Sequence, residues 1–282
     1  MRLLDATRKE IMQFKSMVVS NVEISPGYRR VRLTAPRAML DARPGQFVML
    51  RVRDGLDPLL RRPFCVFDTG SFSPEYPDAP RQHYFDILYR VVGKGTAILA
   101  SLHSKDYLDV LGPLGNGFSL GDPHEEKILV GGGIGLAPLY FLARELAGKS
   151  PLKVFIGGKR KEDVLCVTEF EQLGIDTYVA TDDGTLGTRG LVTEVLEENL
   201  SLGEGKRTVF ACGPEPMLQA LATICAKHGI LCQVSLEANM ACGVGACLGC
   251  VVKGGSHSEA APDYRCVCKE GPVFDAAELS WK

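Results

Sequence analysis

Ten cysteines occur in this 282-residue chain, and five of them crowd between Cys242 and Cys268. Cys242, Cys247 and Cys250 are spaced C-x4-C-x2-C, with Cys266 and Cys268 farther on. Thiolates at this spacing, with the fourth ligand downstream, form the ligand pattern of a plant-type [2Fe–2S] centre. The residues between them suit that chemistry. Gly243, Gly245 and Gly249 let the backbone fold tightly around an inorganic core, and small Ala246 lets peptide N–H groups approach its sulfides. A zinc site built from Cys247-x2-Cys250 and Cys266-x-Cys268 is the competing arrangement; it leaves Cys242 unused and needs an unusually tight second pair. A four-thiolate cluster takes only one of Cys266 and Cys268, and spacing does not choose between them. The scattered Cys65, Cys166, Cys212, Cys225 and Cys232 read as small buried hydrophobes.

Two further groups of residues could hold ligands. Arg62-Pro63-Phe64-Cys65 follows a strand-like run, where an arginine can pair with a pyrophosphate and proline holds the chain extended. Downstream, Tyr89 of Leu88-Tyr89-Arg90 could flank a ring, Arg90 could meet phosphate, and the Gly95 and Thr96 amides could cradle phosphate oxygens at a helix start. Together these predict a flavin site. Gly131-Gly132-Gly133-Ile134-Gly135 joins a strand to a helix, allowing close approach of a nucleotide. Pro138 breaks the full dinucleotide fingerprint, and Gly157-Gly158-Lys159-Arg160-Lys161 stands where an acidic residue would end the next strand. A plain tight turn is therefore the alternative reading.

The elements that would position these residues fall into three stretches. Over 12–115, short runs at Met17–Ile24, Arg29–Thr34, Gln46–Val52 and Phe85–Val92 are punctuated by Gly and Pro, predicting a small antiparallel β-barrel, with Ser71–Pro80 as an irregular loop. Over 122–235, strands at Lys127–Val130, Leu152–Ile156, Thr177–Ala180 and Thr208–Ala211 alternate with helices at Leu136–Ala147, Val164–Leu173, Leu191–Glu198 and Pro216–His228. That alternation predicts an open parallel α/β sheet. Residues 236–282 are Gly- and Cys-rich, with few apolar residues for a core, and are expected to need a cofactor to fold. A net charge of −2 favours neither nucleic acid nor an acidic membrane as partner. There is no run of 18 apolar residues, and the N-terminal stretch has no apolar core with a cleavage site, so a cytoplasmic protein is expected.

Arg62-Pro63-x-Cys65, Gly95-Thr96, the Gly-rich turn ending at Pro138, and Cys212-Gly213-Pro214 resemble the ferredoxin–NADP reductase superfamily, whose fold is a flavin barrel followed by a nucleotide-binding α/β domain. Asn239 to Cys250, Cys268-Lys269-Glu270-Gly271-Pro272-Val273-Phe274, Thr181-Asp182-Asp183-Gly184 and Gly187-Thr188-x-Gly190 are similar to one branch, the FAD and iron–sulfur electron-transfer subunits of NAD-dependent dihydroorotate dehydrogenase B. The resemblance implies Cys268 as the fourth cluster ligand, FAD on the barrel, and NAD at the Gly-rich turn with Asp182, Cys212, Gly213 and Pro214. It implies no acid–base side chain. It also implies a partner catalytic subunit whose FMN oxidises dihydroorotate to orotate, most simply in a heterotetramer of two subunits of each kind, with electrons crossing the cluster and FAD to NAD. Cys65 stands where the family's flavin motif usually has Ser, and a thiol donates a weaker hydrogen bond than a hydroxyl. A related electron-transfer subunit of a hydrogenase, sulfide reductase or ferredoxin–NADP transhydrogenase is the alternative on the same scaffold, and a zinc-stabilised or redox-sensing binding module is a more distant one.

Overall fold

In the computed structural model, residues 11–73, 81–202, 205–255 and 263–281 are described. The N-terminal half consists of strands whose side chains alternate between a shared core and the outside, the period of two that pleated backbone imposes. They are β1 (Met12–Ser25), β2 (Tyr28–Ala35), β3 (Phe47–Arg51), β4 (Arg62–Cys65), β5 (Asp68–Phe72), β6 (Gln82–Arg90) and β7 (Tyr107–Leu114), with helix α1 (Lys94–Ala100) before β7. They form one antiparallel sheet in the order β4-β3-β7-β1-β2-β6-β5. Val31, Leu33, Val48, Leu50, Ile87 and Val110 fill its core. Pro26 and Gly27 make the β1–β2 turn, with Gly27 at φ +79°, a conformation that favours glycine.

Three differences from the sequence reading have physical causes. Arg62–Cys65 is itself a strand; it lies at the sheet edge, where Pro63 removes no needed ladder donor. β5, with the sequence DTGSF, carries little strand propensity, and its pairing with β6 sets its structure. Ser71 and Phe72 end β5 instead of opening a loop, and residues 74–80 lie outside the described residues.

The second half alternates strand and helix: β8 (Glu126–Gly132), α2 (Leu136–Leu146), β9 (Leu152–Gly158), α3 (Val167–Gln172), β10 (Asp176–Thr181), β11 (Thr188–Arg189), α4 (Val192–Leu202), β12 (Arg207–Cys212), α5 (Glu215–His228) and β13 (Leu231–Ser235). Helix α5 stops at Gly229, whose φ of +64° turns the chain so that the Ile230 N–H reaches the Cys225 carbonyl. The sheet order is β11-β10-β9-β8-β12-β13-β16, where β16 (Val273–Asp275) comes from the C-terminal segment. β8 to β13 run parallel, and β16 pairs antiparallel with β13. The chain leaves β8 toward β9 and returns to β12 on the other side. The strand order therefore reverses between β8 and β12, and the crevice at their carboxyl ends is where such sheets take ligands.

The Cys-rich segment is more regular than its composition suggests. β14 (Val251–Lys253) and β15 (Tyr264–Cys266) form a hairpin, and β16 extends the neighbouring sheet. The segment gains its core from the domains it docks on. The Asn116 N–H donates to the Gly271 carbonyl (2.6 Å), and the Leu236 N–H to that of Pro272 (2.9 Å).

The two larger domains are pinned together. Arg144 of α2 pairs with Asp68 and donates to the Thr69 carbonyl (2.8 Å), Tyr140 stacks on Phe67 with centroids 4.6 Å apart, and the Tyr28 hydroxyl donates to Asp163 (2.8 Å). Burial first, and the Asp163 contact second, push the Tyr28 phenol up to about 12. Gly135 is where the α2 start meets the end of β12. A Cβ there would lie 2.2 Å from the Cys212 carbonyl oxygen. Gly135→Ala should therefore destabilise the chain by about 1–3 kcal/mol, read from urea unfolding followed by far-UV circular dichroism.

Candidate functional site

The five clustered cysteines separate into two groups. Cys242 and Cys247 lie on the loop before β14, half-buried and exposed respectively, and Cys250, Cys266 and Cys268 are buried. The loop backbone folds so that its N–H groups point at sulfur. Val244 and Ala246 donate to the Cys242 Sγ at 3.5 and 3.3 Å, and Gly245 donates to the Cys268 Sγ at 3.0 Å. Gly243 and Gly245 adopt φ of +73° and +80° to allow this. Desolvation raises the Cys242 thiol, but the N–H donors of Val244, Cys247 and Ala246 and the neighbouring Cys247 thiol outweigh it and bring the group down to about 6. The inner sulfurs of Cys250, Cys266 and Cys268 lie within 4.8 Å of one another, and burial first of all raises the Cys266 and Cys268 thiols. Soft donors met by backbone N–H groups fit a sulfur-bridged iron centre, whose sulfurs carry charge that N–H dipoles stabilise.

The loop carrying Cys242 presses on the first domain. A Cβ on Gly243 would fall 2.6 Å from the Met49 Cγ, and Met49 on β3 pairs with Pro63 on β4. The Arg62–Cys65 strand is thus one cross-strand pair away from the Cys-rich loop. At the start of that strand two neighbouring arginines differ. Arg61 is committed to Asp109 (2.9 Å). Arg62 lies over Gly95, where a Cβ would come 2.6 Å from its Nε, so the guanidinium and the start of α1 form one cradle. The Thr96 hydroxyl accepts from the Val92 and Gly93 N–H groups and fixes that turn. The cradle fits a pyrophosphate group.

Two sequence expectations change at this strand's neighbours. Tyr89 is not free to flank a ring. Its side chain is 1% exposed in the first-domain core, edge-on to Phe64, with its hydroxyl donating to Asn21 (2.9 Å). Leu88 is buried against the second domain, and Arg90, on the same face but at the very end of the strand, is the exposed member of the three, beside the Tyr28 ring.

At the crevice, the Gly-rich turn and the Cys212-Gly213-Pro214 turn meet. Cys212 pairs with Gly131 across the ladder, and a Cβ on Gly132 would strike Pro214 at 2.8 Å. Gly133 lies in the same turn, and exposed Asp182 follows β10 at the same carboxyl edge. Burial first and Glu237 second push the Cys65 thiol up to about 12. The Cys212 thiol is raised by burial first, then by Cys65, against a Ser235 hydrogen bond. Cys65 and Cys212, from different domains, thus lie close to one another as neutral thiols, with Ser235 and Glu237 beside them. Ser235 and Glu237 were absent from the sequence reading; their position at and just beyond the end of the last parallel strand is the signal that marks them.

Comparison with known proteins bears on all three regions. Residues 237–280 match the iron-sulfur cluster binding domain of dihydroorotate dehydrogenase B, and residues 129–223 match the oxidoreductase NAD-binding domain. The electron transfer subunit of NAD(+) dihydroorotate dehydrogenase B from Desulforamulus reducens is 36% identical over 95% of this chain and 98% of its own length. The same-named subunit from Geobacillus kaustophilus is 45% identical over 84% and 86%. Among solved structures, an NADH-dependent reduced ferredoxin-NADP oxidoreductase described in terms of flavin-based electron bifurcation is 29% identical, with a TM-score of 0.79 over 94% of this chain and 90% of its own. Cys247→Ser should lower iron and acid-labile sulfide per chain by roughly fivefold or more while FAD content stays the same, as the four-thiolate pattern requires.

Proposed function

The chain belongs to the family of electron transfer subunits of NAD-dependent dihydroorotate dehydrogenase B, and from that premise we propose how its own residues hold the carriers. It is an oxidoreductase component serving electron transfer in pyrimidine biosynthesis, and it uses FAD, an iron–sulfur cluster and NAD. When bound, FAD would exchange one hydride with NAD and single electrons with the cluster, which would link the nucleotide to a partner's dihydroorotate chemistry.

Cys242, Cys247, Cys250 and Cys268 hold the cluster in residues 236–282. Residues 12–115 carry FAD. There Arg62 and the Gly95–Thr96 turn take the pyrophosphate, Arg90 offers a second cation, and Pro63, Phe64 and Cys65 line the adjoining strand. The antiparallel sheet closes into a barrel. Support comes from the link between its two edges, where the Val66 N–H donates to Gln46 (3.0 Å) and the Phe67 N–H to Asp86 (2.9 Å). Residues 122–235 carry NAD at Gly131, Gly132, Gly133 and Gly135, with Asp182, Cys212, Gly213 and Pro214 on the same edge. No side chain is required to act as acid or base; these residues bind, orient and exclude water.

The observation that carries this reading is the contact of Gly243 with Met49, one strand from Pro63. It supports a short route between the cluster loop and the flavin strand. A bifurcating transhydrogenase-type subunit has the fold match behind it. The match of residues 237–280 and the higher identity to the dihydroorotate dehydrogenase subunits favour the dihydroorotate-linked role over that one.

A catalytic partner subunit belongs to this function. Val244 and Leu248 are 43% and 62% exposed, and Leu248 takes φ +56°, which turns the loop tip outward. They fit a face for the FMN-bearing catalytic chain, in a heterotetramer of two subunits of each kind. Co-purification with that chain, followed by a dihydroorotate–NAD assay, tests the reading; a complex inactive with dihydroorotate would refute it. Arg62→Ala should release FAD, since a charge-assisted contact of about 1.5–3 kcal/mol is lost, and the flavin absorbance of the purified chain reads it. Leu248→Glu should weaken pairing with the catalytic chain on size-exclusion chromatography while NADH oxidation by an artificial acceptor persists.

A further inference from the structure

The five clustered cysteines are one more than a four-thiolate cluster uses, and the extra thiol lies in the inner group. The Cys266 Sγ lies 3.6 Å from the Cys250 Sγ and 3.7 Å from the Cys268 Sγ. Two thiolates on one tetrahedral metal, with metal–sulfur bonds of about 2.3 Å, stand about 3.8 Å apart. Cys266 is therefore already at the separation at which it could share an iron with Cys250. Its backbone is held there independently of any metal. The Cys266 N–H donates to the Glu270 carboxylate at 2.6 Å, and its carbonyl accepts from the N–H groups of Lys269 and Glu270. Cys266 ends a strand and Cys268 lies in the turn that follows it, and that turn brings the two sulfurs together. What separates them is the Gly245 N–H on the Cys268 sulfur, which ties that residue to the loop bearing Cys242 and Cys247.

We propose that Cys266 is a reserve ligand: Cys268 is the resident fourth thiolate, and Cys266 takes its place on the iron it shares with Cys250 when Cys268 is removed or leaves. In the exchange one iron–sulfur bond breaks as another forms. The proton of the Cys266 thiol passes to the departing Cys268 sulfur, and no electron moves. This rests on the assignment of the cluster to Cys242, Cys247, Cys250 and Cys268, and goes beyond it in giving the inner iron two competent partners.

The test uses the full chain purified without oxygen, with iron, acid-labile sulfide and FAD counted per chain and the electron paramagnetic resonance spectrum recorded after dithionite reduction. Cys268→Ala should keep more than about half of its iron, with shifted g values, because Cys266 ligates instead. Cys266→Ala with Cys268→Ala should lose iron roughly fivefold or more at unchanged FAD, and Cys266→Ala alone should leave the wild-type spectrum. The inference is overturned if Cys268→Ala loses as much iron as the double variant. It is also overturned if the double variant keeps as much iron as Cys268→Ala, or if Cys266→Ala alone removes the cluster. Cys268→Ser, closer in volume, is the second variant should Cys268→Ala lose FAD, and loss of both iron and FAD in each counts against a reserve ligand. A wild-type chain without iron and sulfide would instead remove the cluster assignment itself, and the reserve ligand with it.

Discussion

The rest of the structure depends on how closely the Cys-rich loop approaches the first domain. At Gly243 there is no room for a side chain, because a Cβ would sit 2.6 Å from Met49 and 3.3 Å from Leu114. Electron exchange between two bound carriers weakens steeply with distance, so a loop that can lie flat on β3 has a functional reason to carry glycine there. The contact alone would be a hinge. It becomes a fixed position because the same segment is held from two other sides, by β16 on β13 and by Asn116 on the Gly271 carbonyl. The segment bridges both larger domains, and those domains are locked by Arg144 with Asp68 and Tyr28 with Asp163. Each pin limits the relative motion that would otherwise lengthen the path.

The features legible in the sequence were those whose chemistry is local. The cysteine spacing, the Gly-rich turn after an apolar strand and the strand–helix alternation each state their structure within a dozen residues. What stayed hidden depends on partners distant in sequence. β5 owes its structure to β6, and β16 to β13, some 40 residues earlier. Tyr89 looked available for a ligand because its neighbours Arg90 and Gly95 suggested a site. Which face of a strand points inward is set by the sheet it joins, and here that sheet turns Tyr89 into the core. Glu237 escaped for the opposite reason: its residue type and neighbours do not set it apart, only its place just beyond the end of β13 marks it, and the fold brings it near Cys65.

Chemically identical cysteine side chains thus acquire different characters from their surroundings. Cys65 and Cys212 lie between domains where burial holds the thiol neutral, so they act there as small polarisable packing groups beside Glu237. Cys242 is met by backbone N–H groups that favour the thiolate before any metal arrives. Cys266 and Cys268 are raised by burial and share with Cys250 a space less than 5 Å across, where neighbouring negative charges would repel one another strongly. Protonation or a bound cation relieves that crowding, so metal capture there releases protons, whereas Cys242 already favours the thiolate. Backbone donors thus ready Cys242 for a metal, while burial keeps the Cys266 and Cys268 thiols protonated in its absence. Assembly is therefore coupled to the docking of the segment, because the Gly245 N–H that stabilises the Cys268 sulfur belongs to the same loop that presses on Met49.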